Sequence, residues 1–467
     1  MKTHTNVWAI LLALTLAVQV HAQQAKNNTN GYVTPTDKHV LEKLDQWKDL
    51  KFGTLICWGL YSVEGMMESW TLCGEDEDWI TRLRTKDLSY EAYKKWYWNQ
   101  INDITLSKFN PDQWADVVEK AGMKYMIFTT KHHEGFCTFD TKQTDFNIMH
   151  SPFGNNPKAN MTKEVFNSFR NKGFMIGAYY SKPDWHCEYY WWPYFSTPNR
   201  NVNYDVKKYP ERWDKFCKFT FNQIEEITNG DYGDVDILWL DGGQVQPQIH
   251  QQDIHMDKIA DMARGHQPGL IIVDRTVRGK HENYQTPEHV IPEKQLDIPW
   301  ETCTTMNGWG WRKNGTYKPA NYVIAQLIEI VAKGGNLLLG VGPTPEGIID
   351  DIAIDRLTTI GEWLKRNGKG IYSTINAKHY NDGHVWFTQN KDKKTHYAFY
   401  ALGNDEKEVP EVIEWTTNIP KYNKVTLLSN GKRVKCEVKG NKVTVYLPKG
   451  MKRTESIGFS FTIKENK

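Results

Sequence analysis

The sequence predicts an α/β barrel followed by a C-terminal antiparallel β-sandwich, and three observations carry that expectation. Between about residues 50 and 345, short and nearly continuous apolar runs alternate with amphipathic polar stretches, the pattern of a parallel sheet covered by helices on both faces. Past about residue 372 the runs shorten, alternate with period two and are separated by turns, as in strands with one face in water. The chain has 467 residues, room for one barrel of roughly 250 residues or more and a smaller second domain.

Taken in order, residues 1–22 read as a secretory signal peptide: Lys2 supplies a basic start, Trp8 to Val20 an apolar run, and Val20-His21-Ala22 a small-x-small cleavage site. The run falls short of the roughly 20 residues of a comfortable membrane span, and no other segment is longer and as apolar. The mature protein is therefore expected to be exported, to a periplasm or the cell exterior, with no membrane span. Residues 23–38 read as a polar linker, 39–370 as the barrel and 371–467 as the sandwich. The barrel strands are expected in "KFGTLICWG", "KYMIFTT", "GFMIGAYYS", "DVDILWLDG" and "GLIIVDR". Between them, "PDQWADVVEKAG" and "MTKEVFNSFRNKG" space their apolar residues as helices do and stop at Gly122 and Gly173. In the sandwich, Asn430-Gly431 and Gly440-Asn441 are hairpin turns between strands of period two.

Composition narrows the partners. With 58 Lys+Arg against 56 Asp+Glu, no charge excess points to nucleic acid or an anionic membrane. The 19 Trp and 23 Tyr point instead to carbohydrate, because flat rings suit the apolar faces of sugars while their N–H and O–H groups reach hydroxyls. The Trp-rich segment "CEYYWWPYF", with Trp191 and Trp192, is a candidate for additional sugar subsites. Seven cysteines, at positions 57, 73, 137, 187, 217, 303 and 436, leave at least one thiol unpaired and lack the CxxC spacing of a zinc knuckle. No cofactor is expected, and the oligomeric state has no signal in the sequence.

In a barrel the active site gathers where the strands end, so polar residues that terminate apolar runs are the candidates. Such ends are found at Lys131, His132, His133 and Glu134; at Tyr179, Tyr180 and Asp184; at Asp241; and at Asp274 and Arg275. Asp241 is the sharpest, an acid directly after a buried run with Gly242 and Gly243 behind it, placed as a nucleophile or a base. Neighbouring residues of an extended strand face opposite sides, so His132 and His133 are poorly placed to chelate one ion unless the strand has already ended, and no HxH or HExxH spacing occurs; no metal site is expected. Cleaving a glycosidic bond takes a second carboxylate, and Glu288 in "NYQTPEHV" and Glu301 in "IPWETC" both compete for that role.

Together these stretches resemble glycoside hydrolase family 29, the α-L-fucosidases. The likeness runs from about Lys51 to Gly347 and is carried by "KFGTLICWGLYSV", "FNPDQWADVVEKAGMKYMIFTTKHHEGFCTFDTKQTDFN", "GAYYSKPDW", "ILWLDGG", "PWETC" followed by "WGW", and "KGGNLLLGVGPTPEG". The resemblance implies a (β/α)8-like catalytic barrel, a C-terminal β-sandwich and a retaining exo-glycosidase that releases terminal α-L-fucose. It implies Asp241, of the "WLDG" motif, as nucleophile, and His132, His133, Tyr180, Trp239 and Arg275 as pocket residues. The "TPE" after the Arg-bearing strand makes Glu288 the expected acid/base, with Glu301 the alternative. Where the family usually has "IHWG" this chain has "ICWG", so Cys57 stands in place of a histidine; Cys57 and Trp58 are placed with the pocket residues, in a reshaped subsite. The family's "EWY" matches either "ESW" at Glu68 to Trp70 or "EDWI" at Glu77 to Ile80. The Cys57 departure opens two other readings, an α-L-galactosidase acting by the same machinery, on L-galactose or a 6-substituted form, and a non-catalytic sugar-binding protein.

Overall fold

The structure is a computed structural model that describes residues 31–73 and 86–463. The expected signal peptide, the first half of the expected linker and the "EDWI" alternative lie outside those residues.

Seven strands form one curled parallel sheet: β1 (Phe52–Ile56), β2 (Tyr125–Lys131), β3 (Met175–Ser181), β4 (Ile237–Asp241), β5 (Ile271–Asp274), β6 (Glu301–Thr305) and β7 (Asn336–Val341), in the order β5-β4-β3-β2-β1-β7-β6. The five apolar runs picked out in the sequence are β1 to β5. β6 is less legible, because "ETCTT" is polar in composition yet buried along its whole length. Where an eighth strand would close the ring between β5 and β6, residues 282–289 make only isolated bridges, Val273 to Glu282 on one side and Glu288 to Cys303 on the other. The barrel-like sheet is therefore open at one seam, and an acid sits in the seam.

Helices cover the outside, among them α1 (Pro111–Lys120), α2 (Met161–Arg170), α3 (Pro210–Thr228) and α4 (Ala320–Ala332). The helix starts are encoded locally. Asn110 and Asn160 accept hydrogen bonds from the backbone N–H groups of Asp112 and Lys163, and Pro111 occupies a first turn where its missing N–H costs nothing.

Side chains alternate strictly across the sheet. Leu55, Cys57, Ile127, Tyr179, Ile237, Trp239 and Leu338 point into an inner core, whereas Ile56, Trp58, Ala178, Tyr180, Leu238 and Leu240 belong to the outer core under the helices. The inner core is closed at its N-terminal end by a further helix, Lys38–Leu50, which contributes Val40, Leu44 and Trp47. Trp47 stacks on Tyr284 with ring centroids 4.0 Å apart. Gly53 lets Tyr125 lie across β1, since a Cβ there would stand 2.4 Å from its ring.

The second sheet is antiparallel, with eight strands, β8 (Thr374–Asp382), β9 (Val385–Asn390), β10 (His396–Tyr400), β11 (Val412–Trp415), β12 (Val425–Leu427), β13 (Arg433–Lys439), β14 (Lys442–Tyr446) and β15 (Ile457–Phe461), in the order β11-β14-β13-β12-β15-β10-β9-β8. It folds back on itself: Trp415 on β11 (Val412–Trp415) meets Phe387 on β9 (Val385–Asn390) at 6.1 Å, far apart in strand order. Hairpin turns join β12 (Val425–Leu427) to β13 (Arg433–Lys439) around Gly431 and β13 to β14 (Lys442–Tyr446) around Gly440, as the Asn-Gly and Gly-Asn pairs predict. Among the described residues, which include all seven cysteines, no disulfide forms.

Candidate active site

β4 ends on Asp241 because the chain turns sharply behind it. Gly242 has φ +87°, and a Cβ there would stand 2.2 Å from Pro183, so only glycine fits. The Asp241 carbonyl accepts from the Lys182 N–H at 2.9 Å, which ties the end of β4 to the end of β3.

Three neighbours meet the Asp241 carboxylate. Arg275 Nη1 donates to Oδ1 at 2.8 Å, the Tyr179 hydroxyl donates to Oδ2 at 2.7 Å, and His133 Nε2 lies 3.8 Å from Oδ2. Burial by itself would push this carboxyl up; the Arg275 guanidinium and the Tyr179 hydroxyl outweigh it and hold Asp241 well below the usual carboxylate range. An ionised carboxylate in this setting keeps a side chain that is 20 % exposed. His133 is shifted down by burial and by the adjacent His132, so its imidazole is neutral, with Nδ1 engaged by the Ser181 hydroxyl.

β2 stops at Lys131, after a register shift between Thr129 and Lys131. Past that point the strand alternation no longer applies, and the rings of His132 and His133 sit 4.4 Å apart on the same side. The strand has thus ended before the pair, the condition under which both rings can face one side. His132 Nδ1 is held by the Ser69 hydroxyl, which donates its own hydrogen bond to the buried Glu134 carboxylate. This leaves Nε2 of His132 toward the site.

Arg275, the residue after β5, has every edge of its guanidinium engaged. Nε donates to Thr286 Oγ1 at 2.9 Å, Nη1 to Asp241, and Nη2 to Glu288 Oε2 at 2.8 Å, while its plane lies 4.4 Å from the Trp239 ring centroid. Glu288 hangs in the open seam and takes a second bond on Oε1 from the Trp309 indole N–H at 3.2 Å. It lines a cavity of about 250 Å³ with Glu68, Trp70, His289, Trp309 and Arg312.

Glu301 stands elsewhere. As the first residue of β6 it projects into the inner core, fully buried, and accepts the Tyr125 hydroxyl at 2.7 Å. The Trp239 indole N–H and the Tyr284 hydroxyl lie against its carboxyl, without well-aligned hydrogen bonds to its other oxygen. Burial pushes this carboxyl up to about 8, so it is protonated at neutral pH.

The structure thus gathers Asp241, Glu288, His132, His133, Trp239 and Arg275, and Cys57 joins them. Its thiol accepts from Thr129 Oγ1 at 3.3 Å in the inner core, and burial pushes it far toward the neutral form. Two expected pocket residues do not join. Tyr180 points outward, with its hydroxyl donating to Gln223 and accepting from Lys131, and Trp58 packs on Phe136 and donates to the Thr344 carbonyl. The reason is the pleat: Tyr179 and Cys57, one residue earlier in each strand run, have the inward parity. Trp191 is likewise no open platform, being buried against Trp185 at 5.1 Å, and Trp192 is half-buried with Arg212 across its face at 4.2 Å. Tyr179 stood among the strand-end candidates, and Glu68 and Trp70 in one of the two matches to "EWY", whereas Thr286 and Trp309 had been given no role. Parity would have chosen Tyr179 over Tyr180, since it lies two residues before Ser181, which pairs with Asp241.

Ligand atoms of His132, His133 and Asp241 all lie within 4.8 Å of one another. The Asp241 charge there is already matched by the Arg275 guanidinium and both of its oxygens are bonded, so a cation would meet like charge; the donor set fits a hydroxyl-rich ligand better.

A family model described as α-L-fucosidase matches residues 18–369. Plasma α-L-fucosidase of Rattus norvegicus is 29 % identical over 381 residues, covering 76 % of this chain and 77 % of the relative. Among solved structures, α-L-fucosidase isoenzyme 1 from Paenibacillus thiaminolyticus superposes with a TM-score of 0.74 at 24 % identity, over 92 % of this chain and all of the other. A Bacteroides thetaiotaomicron α-L-fucosidase trapped as a covalent intermediate with 2-fluoro-fucosyl fluoride superposes with a TM-score of 0.73 at 21 % identity, over 95 % of this chain and 99 % of the other.

Proposed function

The chain belongs to the α-L-fucosidase family, and from that premise we propose that it is a retaining exo-hydrolase releasing terminal α-L-fucose, with Asp241 as nucleophile and Glu288 as acid/base. The observation that carries this reading is the single guanidinium of Arg275 that bonds both carboxylates at the mouth of the sheet. Two carboxylates brought that close, one of them held ionised, are what a covalent double displacement requires.

In the first step an Asp241 oxygen bonds to the anomeric carbon, the glycosidic C–O bond breaks, and the proton of Glu288 goes to the departing oxygen. In the second, water bonds to the same carbon, the ester bond to Asp241 breaks, and the water proton returns to Glu288. Tyr179 holds the nucleophile's second oxygen in place, while His132 and the neutral His133 offer ring nitrogens to sugar hydroxyls. Glu301 is poorly suited to the acid/base role, since it is sealed in the inner core behind Trp239. The Bacteroides relative was trapped as a covalent intermediate, and this reading carries the same two-step route to the present chain.

The substrate class is a fucosylated glycan. Export is part of the reading and rests on the basic start, apolar run and small-x-small site of residues 1–22; amino-terminal sequencing of protein recovered outside the cytoplasm checks it, and an intact Met1 there would refute it. The boundaries 39–370 for the catalytic part and 371–467 for the sandwich are proposed with it. The activity is tested with paired aryl α-L-fucoside and α-L-galactoside substrates. Hydrolysis of the fucoside that disappears in Asp241→Ala is expected, whereas cleavage of the galactoside alone would move the substrate, and turnover of neither would favour a binding protein.

A further inference from the structure

Glu288 stands between two spaces. Its Oε2 is turned to Arg275 and through it to Asp241, while its Oε1 is turned to Trp309. Beyond Oε1 lies the cavity of about 250 Å³, and Asp241, Trp239 and the two histidines past β2 take no part in its wall. In a double displacement the nucleophile and the acid flank the scissile bond from opposite sides. With Glu288 as the acid, the group that departs with the glycosidic oxygen is directed into this cavity.

Much of the wall comes from the loop between β6 and α4, and what that loop offers is hydrogen-bond donors. The stem of Arg312 lies on Gly308, where a Cβ would stand 2.5 Å from the Arg312 Cδ, so the missing side chain is what lets the arginine lie along the wall. Its guanidinium is half-buried and, among the described residues, makes no hydrogen bond and no ion pair. Glu68 feels that charge from beyond ion-pair distance; burial pushes its carboxyl up, and Oε1 already accepts the Gly310 N–H at 2.9 Å. His289 supplies a second donor. Lys318 Nζ can only donate, and does so to Thr304 Oγ1 at 2.7 Å, which leaves the hydroxyl hydrogen for His289 Nδ1 at 3.1 Å. The imidazole, shifted toward the neutral form by burial, therefore carries its hydrogen on Nε2. Asn307 adds an amide whose nitrogen and oxygen are both buried without a well-aligned partner.

Arg312 and Lys318 thus place two positive charges around the cavity with no carboxylate within ion-pair distance among the described residues. A cation withdrawn from water without a counter-ion is unfavourable, and a planar guanidinium fits an oxyanion through two parallel bonds. We propose that the cavity is a subsite for an acidic leaving group, a sugar or other aglycone that bears a carboxylate or a sulfate ester, and that Arg312 selects it. The proposal rests on the reading of the chain as a hydrolase with Glu288 as acid/base, and adds the chemistry of the group on the far side of the bond.

The test compares aryl α-L-fucosides that differ only in the meta substituent of the ring: a carboxylate, a sulfate ester or a neutral carboxamide. For each enzyme, kcat/KM on an anionic substrate is divided by kcat/KM on the carboxamide, so that intrinsic differences in leaving-group reactivity cancel when variants are compared. The quotient for at least one anion should fall roughly tenfold to a hundredfold in Arg312→Gln, as expected for loss of a hydrogen bond between charged groups, and should be partly kept in Arg312→Lys, which retains the charge without the paired bonds. The anion whose quotient falls distinguishes carboxylate from sulfate. A quotient that Arg312→Gln leaves within about twofold for both anions would overturn the proposal. If neither variant folds, the wild type decides by itself: its quotient should drop as salt is raised, and a quotient indifferent to salt would overturn the proposal. Wild-type turnover of the carboxamide substrate is read first. Its absence would sink the hydrolase reading and the subsite with it, and equal losses in Glu288→Gln on good and poor leaving groups would sink the acid/base assignment and the subsite with it. Intact turnover with an unmoved quotient overturns the subsite alone.

Discussion

The seam of the barrel and its interior each hold a glutamate from the same short stretch of chain, and they could hardly differ more. At the seam, Glu288 is 42 % exposed in its side chain and bonded by two charged or polar N–H groups, those of Arg275 and Trp309. In the interior, Glu301 is sealed among Tyr125, Trp239 and Tyr284 and keeps a proton to about pH 8. The first can exchange a proton with solvent and substrate. The second can exchange one only with other buried groups. Residue type alone does not suit a carboxyl to general acid chemistry; access to solvent and ligand matters as well.

The contrast is broken most severely at Asp241. Asp241→Ala should lower kcat/KM on an aryl α-L-fucoside by roughly 10⁴-fold or more with the fold intact by circular dichroism, as nucleophile removal does elsewhere. Retention of even a tenth of the activity would remove Asp241 from the mechanism, and the seam with it. Next comes Glu288→Gln, for which a loss of roughly 10² to 10⁴ is expected on a natural oligosaccharide, with much less on an activated aryl fucoside. Equal losses on both substrates would mean that Glu288 does not protonate the leaving group.

Parity sharpens the comparison one step further. Tyr179→Phe deletes a hydrogen bond to a charged acid worth about 1.5–3 kcal/mol, so kcat should fall roughly tenfold to a hundredfold. Tyr180→Phe should leave kcat within about twofold and instead lower stability by about 1–3 kcal/mol, because Lys131 and Gln223 lose a buried partner. Denaturant titration beside steady-state kinetics distinguishes the two variants, and a reversal of their effects would put the wrong tyrosine at the site.

Glu301→Gln has the smallest expected effect on activity, within a few-fold. Its signature lies in stability against pH. A carboxyl raised by folding stabilises most below its unfolded value near 4.5 and loses that contribution as pH rises through about 8. Glutamine does not ionise, so the variant should melt close to the wild type at pH 5 and progressively above it toward pH 8.5, with every tenfold difference in proton affinity between the folded and unfolded chain worth about 1.4 kcal/mol. A difference in Tm that does not change with pH would show that Glu301 is not held protonated.

How far the sequence reached can be argued from the same residues. Strands β1 to β5 were legible because buried parallel strands are apolar nearly throughout, and Asp241 stood out as the acid that breaks such a run. β6 was not, since Thr302, Thr304 and Thr305 are polar by composition and buried only through their neighbours. Arg275 was visible as a strand-end residue, but its double contact was not, because Glu288 reaches it from a segment that is neither strand nor helix. Tyr180 and Trp58 were misplaced because a motif marks a stretch, whereas the pleat chooses between adjacent residues.

By itself the sequence determined the order of elements, the family, the strand-end position of Asp241 and the short list of acids, because these depend on local patterns of polarity and on turn residues such as Gly242. Only the tertiary structure decided which glutamate shares Arg275 with Asp241. That choice depends on an open seam between β5 and β6, on Trp239 and Thr286 fixing one guanidinium from two sides, and on the burial that keeps Glu301 neutral. Each of these is a contact between segments distant along the chain or a matter of solvent access, and neither is written in the residues near Glu288 or Glu301.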